Sequence, residues 1–241
     1  MKIAITQPNY LPWLGYFALL DRIDLFVSLD NVQLVKRSFI VRNRVKRPDG
    51  EAAWLSLEVQ KSDRSTLLRD ARLASSGWAA EHLDRLAAYY RDAPCAARYL
   101  PRLQKILPPA AGETTVSLYN ERLLVSLCEL MGIEHRWIRA SALVPDVSGT
   151  AQEKILALCH ALGEPRLELY NFARGVEIGL YDGEVFRTEG IRLVKQAYEH
   201  PTYRQSGSSF LAYLSVVDLI LNEGPAALEI LRAGDRWEAV P

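Results

Sequence analysis

The run Ile3-Ala4-Ile5-Thr6-Gln7-Pro8-Asn9-Tyr10-Leu11-Pro12-Trp13-Leu14-Gly15-Tyr16-Phe17 decides how the chain is read. Residues 2 to 6 predict a short buried strand, and Pro8, Pro12 and Gly15 then break any regular ladder. A helix follows, completed by Leu19 to Ile23, and Asp24 to Asp30 forms a second apolar run that ends in an acid. So short a connection, with a helix between two apolar runs, predicts a parallel βαβ unit. Its right-handed crossover places Asp30 and the Gln7 turn at the same sheet edge. Amides and large aromatics on a loop at the carboxyl end of a buried strand stand where open α/β sheets bind ligands.

Working outward, a chain of 241 residues buries a sizeable core. We read residues 1–241 as a single α/β domain: a three-layer, Rossmann-like, mostly parallel sheet with helices on both faces and a small hairpin insertion. Residues 1–60 hold the N-terminal βαβ unit and the basic hairpin, 75–132 a helical segment, and 133–241 a C-terminal α/β part. With 49% hydrophobic and 24% charged residues the composition is that of an ordinary folded protein, which argues against disorder. No window reaches the ~18 uncharged apolar residues of a membrane helix. The start lacks a signal-peptide pattern, because Gln7, Pro8 and Asn9 interrupt it, so a cytoplasmic protein that does not engage membranes is expected.

Acidic and basic residues balance at 29 each, against general nucleic-acid binding. Cys95, Cys128 and Cys159 are odd in number and widely spaced, and read as buried thiols. The four histidines form no pair at metal-ligand spacing, so no metal is expected. No cofactor is expected either: a Walker-type run, a Gly-x-Gly-x-x-Gly after the first strand and a Gly-x-Ser-x-Gly elbow are all missing.

The strongest charge asymmetry lies between Asn31 and Arg47, where Lys36, Arg37, Arg42, Arg44, Lys46 and Arg47 occur without one acid. A solvated basic face is one reading. The other is an anion site, since guanidinium forks match phosphate and carboxylate oxygens and the interspersed Gln33 and Asn43 amides orient a bound group. Pro48-Asp49-Gly50 then marks a turn and Ala52 to Val59 a returning strand. The stripe Trp78, His82, Leu83, Leu86, Tyr89, Tyr90 has helical spacing across 77–107, divided at Pro94 and Pro101, and reads as core or as a pocket wall. Ser117 to Met131 predicts a helix capped by Gly132, and His135 to Ala140 a third strand. Thr150 and Glu153 form a capping box for a helix from Ala151 to Leu162. Arg166 to Tyr170 predicts a strand with Asn171 just past its end, Tyr181 to Thr188 a short helix, and Ile191 to Lys195 the last strand. Residues His200 to Gln205 make a polar loop before a helix from Phe210 to Leu221. Asp218 in that helix reads as a structural anchor or a catalytic group. A short helix after Pro225 and a frayed tail close the chain.

The first strand, turn and helix are similar in order to nucleotidyltransferases and class I tRNA synthetases, but Trp13 and Tyr16 stand where a His-x-Gly-His motif would be. A closer resemblance rests on Gln7 to Phe17, on Asp30-Asn31-Val32-Gln33 with Lys36-Arg37-Ser38 and Arg42-Asn43-Arg44, and on Tyr203-Arg204-Gln205 with Leu214 to Asp218. With Trp78, His82 and the 181–190 region, these resemble the WbqC-like protein family. Family members often carry His where this chain has Thr6, so no general base is assigned there. The resemblance implies a transferase acting on a nucleotide-activated sugar or related small metabolite, in O-antigen surface polysaccharide or natural-product biosynthesis.

On that reading the substrate is an anionic small molecule. Lys36, Arg37 and Arg42 hold its phosphate or carboxylate, Tyr10, Trp13 and Tyr16 shape and stack, and Gln7, Asn9, Gln33 and Asn43 orient polar groups. Asn171, Tyr203 and Gln205 form opposing walls. Asp30 is the expected general base, with His82 second. All of this requires the Gln7 turn and the Arg42 segment to share one cleft. The competing expectation is a non-catalytic protein that binds an anionic metabolite or scaffolds glycan assembly. Single-stranded nucleic acid stacked on Tyr and Trp is a third, which the neutral net charge opposes. Oligomeric state is open.

Overall fold

The computed structural model of the chain describes residues 1–74, 77–207 and 209–241. The expected βαβ unit forms from β1 (Lys2–Thr6), α1 (Leu14–Arg22) and β2 (Leu25–Ser28). β1 and β2 pair in parallel with Ile3 opposite Leu25 and Thr6 opposite Ser28. The second strand is shorter than the run Asp24 to Asp30, because the ladder ends where Leu29 N donates to Thr6 O at 2.9 Å and the chain turns away.

The basic run continues into an antiparallel hairpin, β3 (Arg42–Lys46) and β4 (Ala52–Ser56). Its turn is closed by the Asp49 carboxylate, which accepts from Glu51 N at 3.0 Å, and by Gly50 at φ 91°, a left-handed position that suits glycine. The helical segment expected from residue 75 begins, among the described residues, with α2 (Gly77–Tyr89); residues 75 and 76 lie outside them. α3 (Ala96–Ile106) and α4 (Val116–Met131) follow, the latter closed by Gly132 at φ 77° as its sequence predicts.

Next come β5 (Arg136–Arg139), α5 (Ala140–Leu143), α6 (Ala151–Ala161), β6 (Leu167–Phe172), α7 (Ala173–Glu177), α8 (Gly183–Thr188) and β7 (Ile191–Gln196). The Thr150–Glu153 capping box forms at the start of α6 in both directions. Asn171 is not past the end of its strand but inside it, opposite Lys195 of β7. The helix expected from Phe210 starts only at Val216. Tyr213 sits at φ 59°, which a right-handed helix excludes, and Ser215 supplies the cap through its Oγ, accepting from Val217 N at 3.3 Å. This is α9 (Val216–Glu223), succeeded by a 3-10 turn (Gly224–Ala226) and α10 (Ala227–Ala233). The tail does not fray: β8 (Trp237–Ala239) pairs antiparallel with β7.

The sheet order is β5-β2-β1-β6-β7-β8, parallel throughout except for β8. Alternation along the strands divides two cores. Ala4, Phe26, Tyr170 and Val194 pack on the face covered by α1, α4 and α9, while Ile3, Ile5, Val27, Leu169 and Leu193 pack with Ile155, Leu158 and Phe186 on the other. Going from β1 the chain builds one half of the sheet through β2 and β5, and the other through β6 and β7. The switch point of the topology therefore lies between β1 and β6.

Asp218, fully buried, ties α9 to its surroundings. Its Oδ1 accepts from the Tyr90 hydroxyl at 2.7 Å, and its Oδ2 from the Tyr203 hydroxyl at 2.7 Å and Gln205 Nε2 at 2.9 Å. Tyr90 in turn accepts from Lys46 N at 2.9 Å, so helix α2, the hairpin, the 203–211 loop and α9 meet at one carboxylate. Asp218 thus anchors structure, and Tyr203 and Gln205 belong to this network. Asp218→Ala strands the buried Tyr90 and Tyr203 hydroxyls and removes one acceptor of Gln205 Nε2, and is expected to cost about 3–5 kcal/mol in urea unfolding. A loss below about 1 kcal/mol would show that the network is not a stabilising anchor.

Candidate functional site at the strand ends

A cavity of about 730 Å³ opens at the carboxyl ends of β1, β6 and β7, over the switch point. Thr6 and Gln7 enter it from the end of β1, Asn171 and Phe172 from β6, and Gln196 from β7. Asn9 and Trp13 come from the turn, Asn43 and Arg44 from the hairpin, and Arg174, Tyr181, Tyr198 and Tyr213 complete the lining.

Trp13 is the centre of an aromatic group: its ring lies 5.5 Å from that of Tyr213 and 5.3 Å, edge-on, from that of Tyr198. The indole occupies space that only a missing side chain leaves free, since a Cβ on Gly15 would come within 2.2 Å of it. Arg44 and Arg174 bring positive charge, and among the described residues neither has a carboxylate partner. Arg44 donates through Nη2 to Tyr213 O at 3.2 Å, while its Nε is buried without a partner. Asn171 Nδ2 is buried beside the Tyr181 hydroxyl, and its Oδ1 accepts from Phe172 N at 2.8 Å. The unmet Arg44 donor in this lining suits an acceptor-rich ligand. Burial raises the pKa of the Tyr181 hydroxyl, and burial first and the Asp235 carboxylate second raise that of Tyr198, so both stay protonated and can donate at neutral pH.

Gln7, Asn9, Trp13, Asn43 and Asn171 therefore share one cleft. The Asn43 side chain, however, is committed to the backbone: Nδ2 donates to Leu11 O at 2.8 Å and Tyr10 O at 3.3 Å, and Oδ1 accepts from Arg44 N at 2.8 Å. Tyr16 is fully buried behind the turn, donating to Gln7 O at 2.7 Å. Tyr10 is also fully buried, its hydroxyl 2.7 Å from His82 Nδ1. Asp30 does not line the cleft. Its carboxylate accepts from Ser141 N at 2.9 Å and Ser141 Oγ at 2.6 Å, fixing the start of α5. Gln33 is exposed and forms a bridge to Leu67. Lys36, Arg37 and Arg42 line a different cavity.

Sequence reasoning missed Arg174, Tyr181, Gln196 and Tyr198. The signal that finds Gln196 and Arg174 is position alone, at or just beyond the ends of parallel strands flanking the switch point. A larger cavity, of about 840 Å³, opens beside β5, but both of its arginines are spent on carboxylates of the same lining: Arg139 Nε donates to Glu121 at 2.6 Å and Arg122 Nε to Glu113 at 2.6 Å. Among the described residues no cluster of His, Cys, Asp and Glu has the makings of a metal site, and no helix is long and apolar enough to cross a membrane.

A sequence model described as the WbqC-like protein family matches residues 7–230. The chain is also 30% identical over 237 residues, 96% of its own length and 97% of the other, to "Uncharacterized protein Rv1507c" of Mycobacterium tuberculosis (strain ATCC 25618 / H37Rv). No solved structure matches.

His82 packs against Trp78 and Tyr10, and burial lowers its pKa to about 4. A folded value below the unfolded value near 6.5 means that the folded state holds this proton more weakly. The contribution is fully present above pH ~6.5 and is lost at about 1.4 kcal/mol per pH unit as pH falls toward 4. His82→Gln keeps an acceptor for Tyr10 and is expected to shrink the stability difference between pH 7 and pH 5 by about 2 kcal/mol, read by denaturant unfolding. An unchanged difference would mean that His82 titrates normally.

Proposed function

This chain belongs to the WbqC-like protein family, and we propose that its strand-end cleft is the substrate site of a group transferase acting on an anionic, activated small molecule. A nucleotide-activated sugar or a related metabolite of surface-polysaccharide or natural-product biosynthesis is the class that the lining suits. The observation that carries this reading is the meeting of two guanidinium groups that lack a carboxylate partner among the described residues, an aromatic platform and amide side chains at the switch point.

Trp13 and Tyr213 stack on a planar or sugar face, Arg44 and Arg174 take the negative charge, and Gln7, Asn9 and Asn171 orient hydroxyl or carbonyl groups. No carboxylate, imidazole or ammonium is among the lining residues. The chemistry supported by such a lining is positioning, together with stabilisation of negative charge as it develops on a departing group. Tyr181 and Tyr198, held protonated, serve as hydrogen-bond donors to that charge. The same want of a base favours, as a second reading, a protein that binds an anionic metabolite without transforming it.

A thermal-shift screen against nucleotide sugars, nucleotides, acyl-CoA species and amino acids tests the site. A true ligand at 100 times its Kd adds about 2.7 kcal/mol of stability. We expect the response to fall at least tenfold in ligand affinity for Arg174→Gln and for Trp13→Ala. Silence across all four classes, or a response unchanged in both variants, would remove the basis of the reading. Mass spectrometry of the ligand after incubation with candidate acceptors separates transferase from binder. Turnover is expected to survive in folded Asp30→Asn protein; its collapse there would return the role of base to Asp30.

A further inference from the structure

The basic run expected to serve one site is divided along the length of β3 and by the course of the loop before it. Arg44 reaches the strand-end cleft, whereas Lys36, Arg37 and Arg42 line a second cavity of about 420 Å³, joined by Lys61 from beyond β4. No acid lines this cavity, and among the described residues none of its four cations has an ion-pair partner. Lys36 donates to Ser62 O at 3.2 Å. Arg42 Nε is buried without a partner, and its guanidinium lies 4.2 Å from the centre of the Trp54 ring. Arg37 is held at φ 63°, an uncommon backbone conformation for a long side chain, so the loop carries local strain where the positive charge is gathered. Four unneutralised cations around one hollow, one of them with a buried unmet donor, match an anion with several oxygens.

Trp54 touches residues of both cavities. Arg42, on one side, and Arg44, at 5.9 Å, both lie against its ring, and Phe39, which lines the strand-end cleft, is 6.1 Å from it centre to centre. Trp54 and Phe39 are both substantially exposed, at 40% and 51%. This gives a continuous path: four cations, an exposed aromatic pair, then the cleft.

We infer that the Lys36-Arg37-Arg42-Lys61 cavity binds the phosphate groups of an extended substrate whose reacting end enters the strand-end cleft, its middle crossing Trp54. That the two cavities serve one substrate rests on the reading proposed above; the phosphate site itself does not. Calorimetry with pyrophosphate at low ionic strength tests the site. Binding is expected, weakening as salt is raised, and weakening at least tenfold in the triple variant Lys36→Gln, Arg37→Gln, Lys61→Gln, whose three positions are exposed and leave folding intact. No binding at millimolar pyrophosphate, or affinity retained in the triple variant, overturns the phosphate site without touching the strand-end reading, which is judged by Arg174→Gln. ADP supplies the second arm. Tighter binding than pyrophosphate, with quenching of tryptophan fluorescence that disappears in Trp54→Leu, supports a carrier lying across Trp54. Equal affinity without quenching overturns the extended path.

Discussion

The buried turn between β1 and α1 carries a row of carbonyl groups that no ladder can satisfy, and much of the molecule is arranged to supply their donors. Gln7 O accepts from the Tyr16 hydroxyl, Pro8 O from Asn120 Nδ2, Leu11 O from Asn43 Nδ2 and Pro12 O from Val216 N, all between 2.7 and 2.8 Å, and just inside α1 Gly15 O accepts from Gln196 Nε2 at 2.7 Å. Each unpaired buried carbonyl would cost about 1–3 kcal/mol, so the donors must arrive together for the turn to exist. They come from α1, α4, the hairpin, β7 and the start of α9. Leu11, at φ 43°, shows that the local backbone is held away from its preferred conformation by these partners.

This constraint separates the polar residues into two sets. Asn43, Asn120 and Gln196 spend their amides on backbone, and Asn120 also holds Ile40 O at 2.8 Å, joining the turn to the loop before the hairpin. Gln7 and Asn9 face the cleft without spending their amides on backbone among the described residues. A rigid, polar-lined wall results from the very bonds that use up half of the amides nearby.

Much of the fold was legible because it follows from local chemistry. The βαβ unit, the Gly132 cap and the Thr150 capping box are short-range features with short-range signatures. The late start of α9 and the pairing of β8 depend on contacts distant in sequence, and no local pattern announces them. The cleft was legible in part for the same reason. Gln7, Asn9 and Trp13 stand at a strand end that sequence alone locates, whereas the basic run could not be split between two cavities without its three-dimensional path. Alternation along β3 does separate Asn43 from Arg42 and Arg44, but it says nothing about which neighbour each side chain meets. His82 and Asp30 illustrate the converse: chemistry suited to catalysis, employed in a packed interior and at a helix start.

The absence of a side chain at Gly15 has a wider meaning for how such a cavity changes. The indole of Trp13 rests in the place that a single methyl group would claim. A larger residue there would tilt the ring outward, narrowing the mouth of the cleft without altering any residue that touches a ligand. Aperture in this architecture is thus governed from beneath, by the first turn of a buried helix, through a position that has no surface of its own.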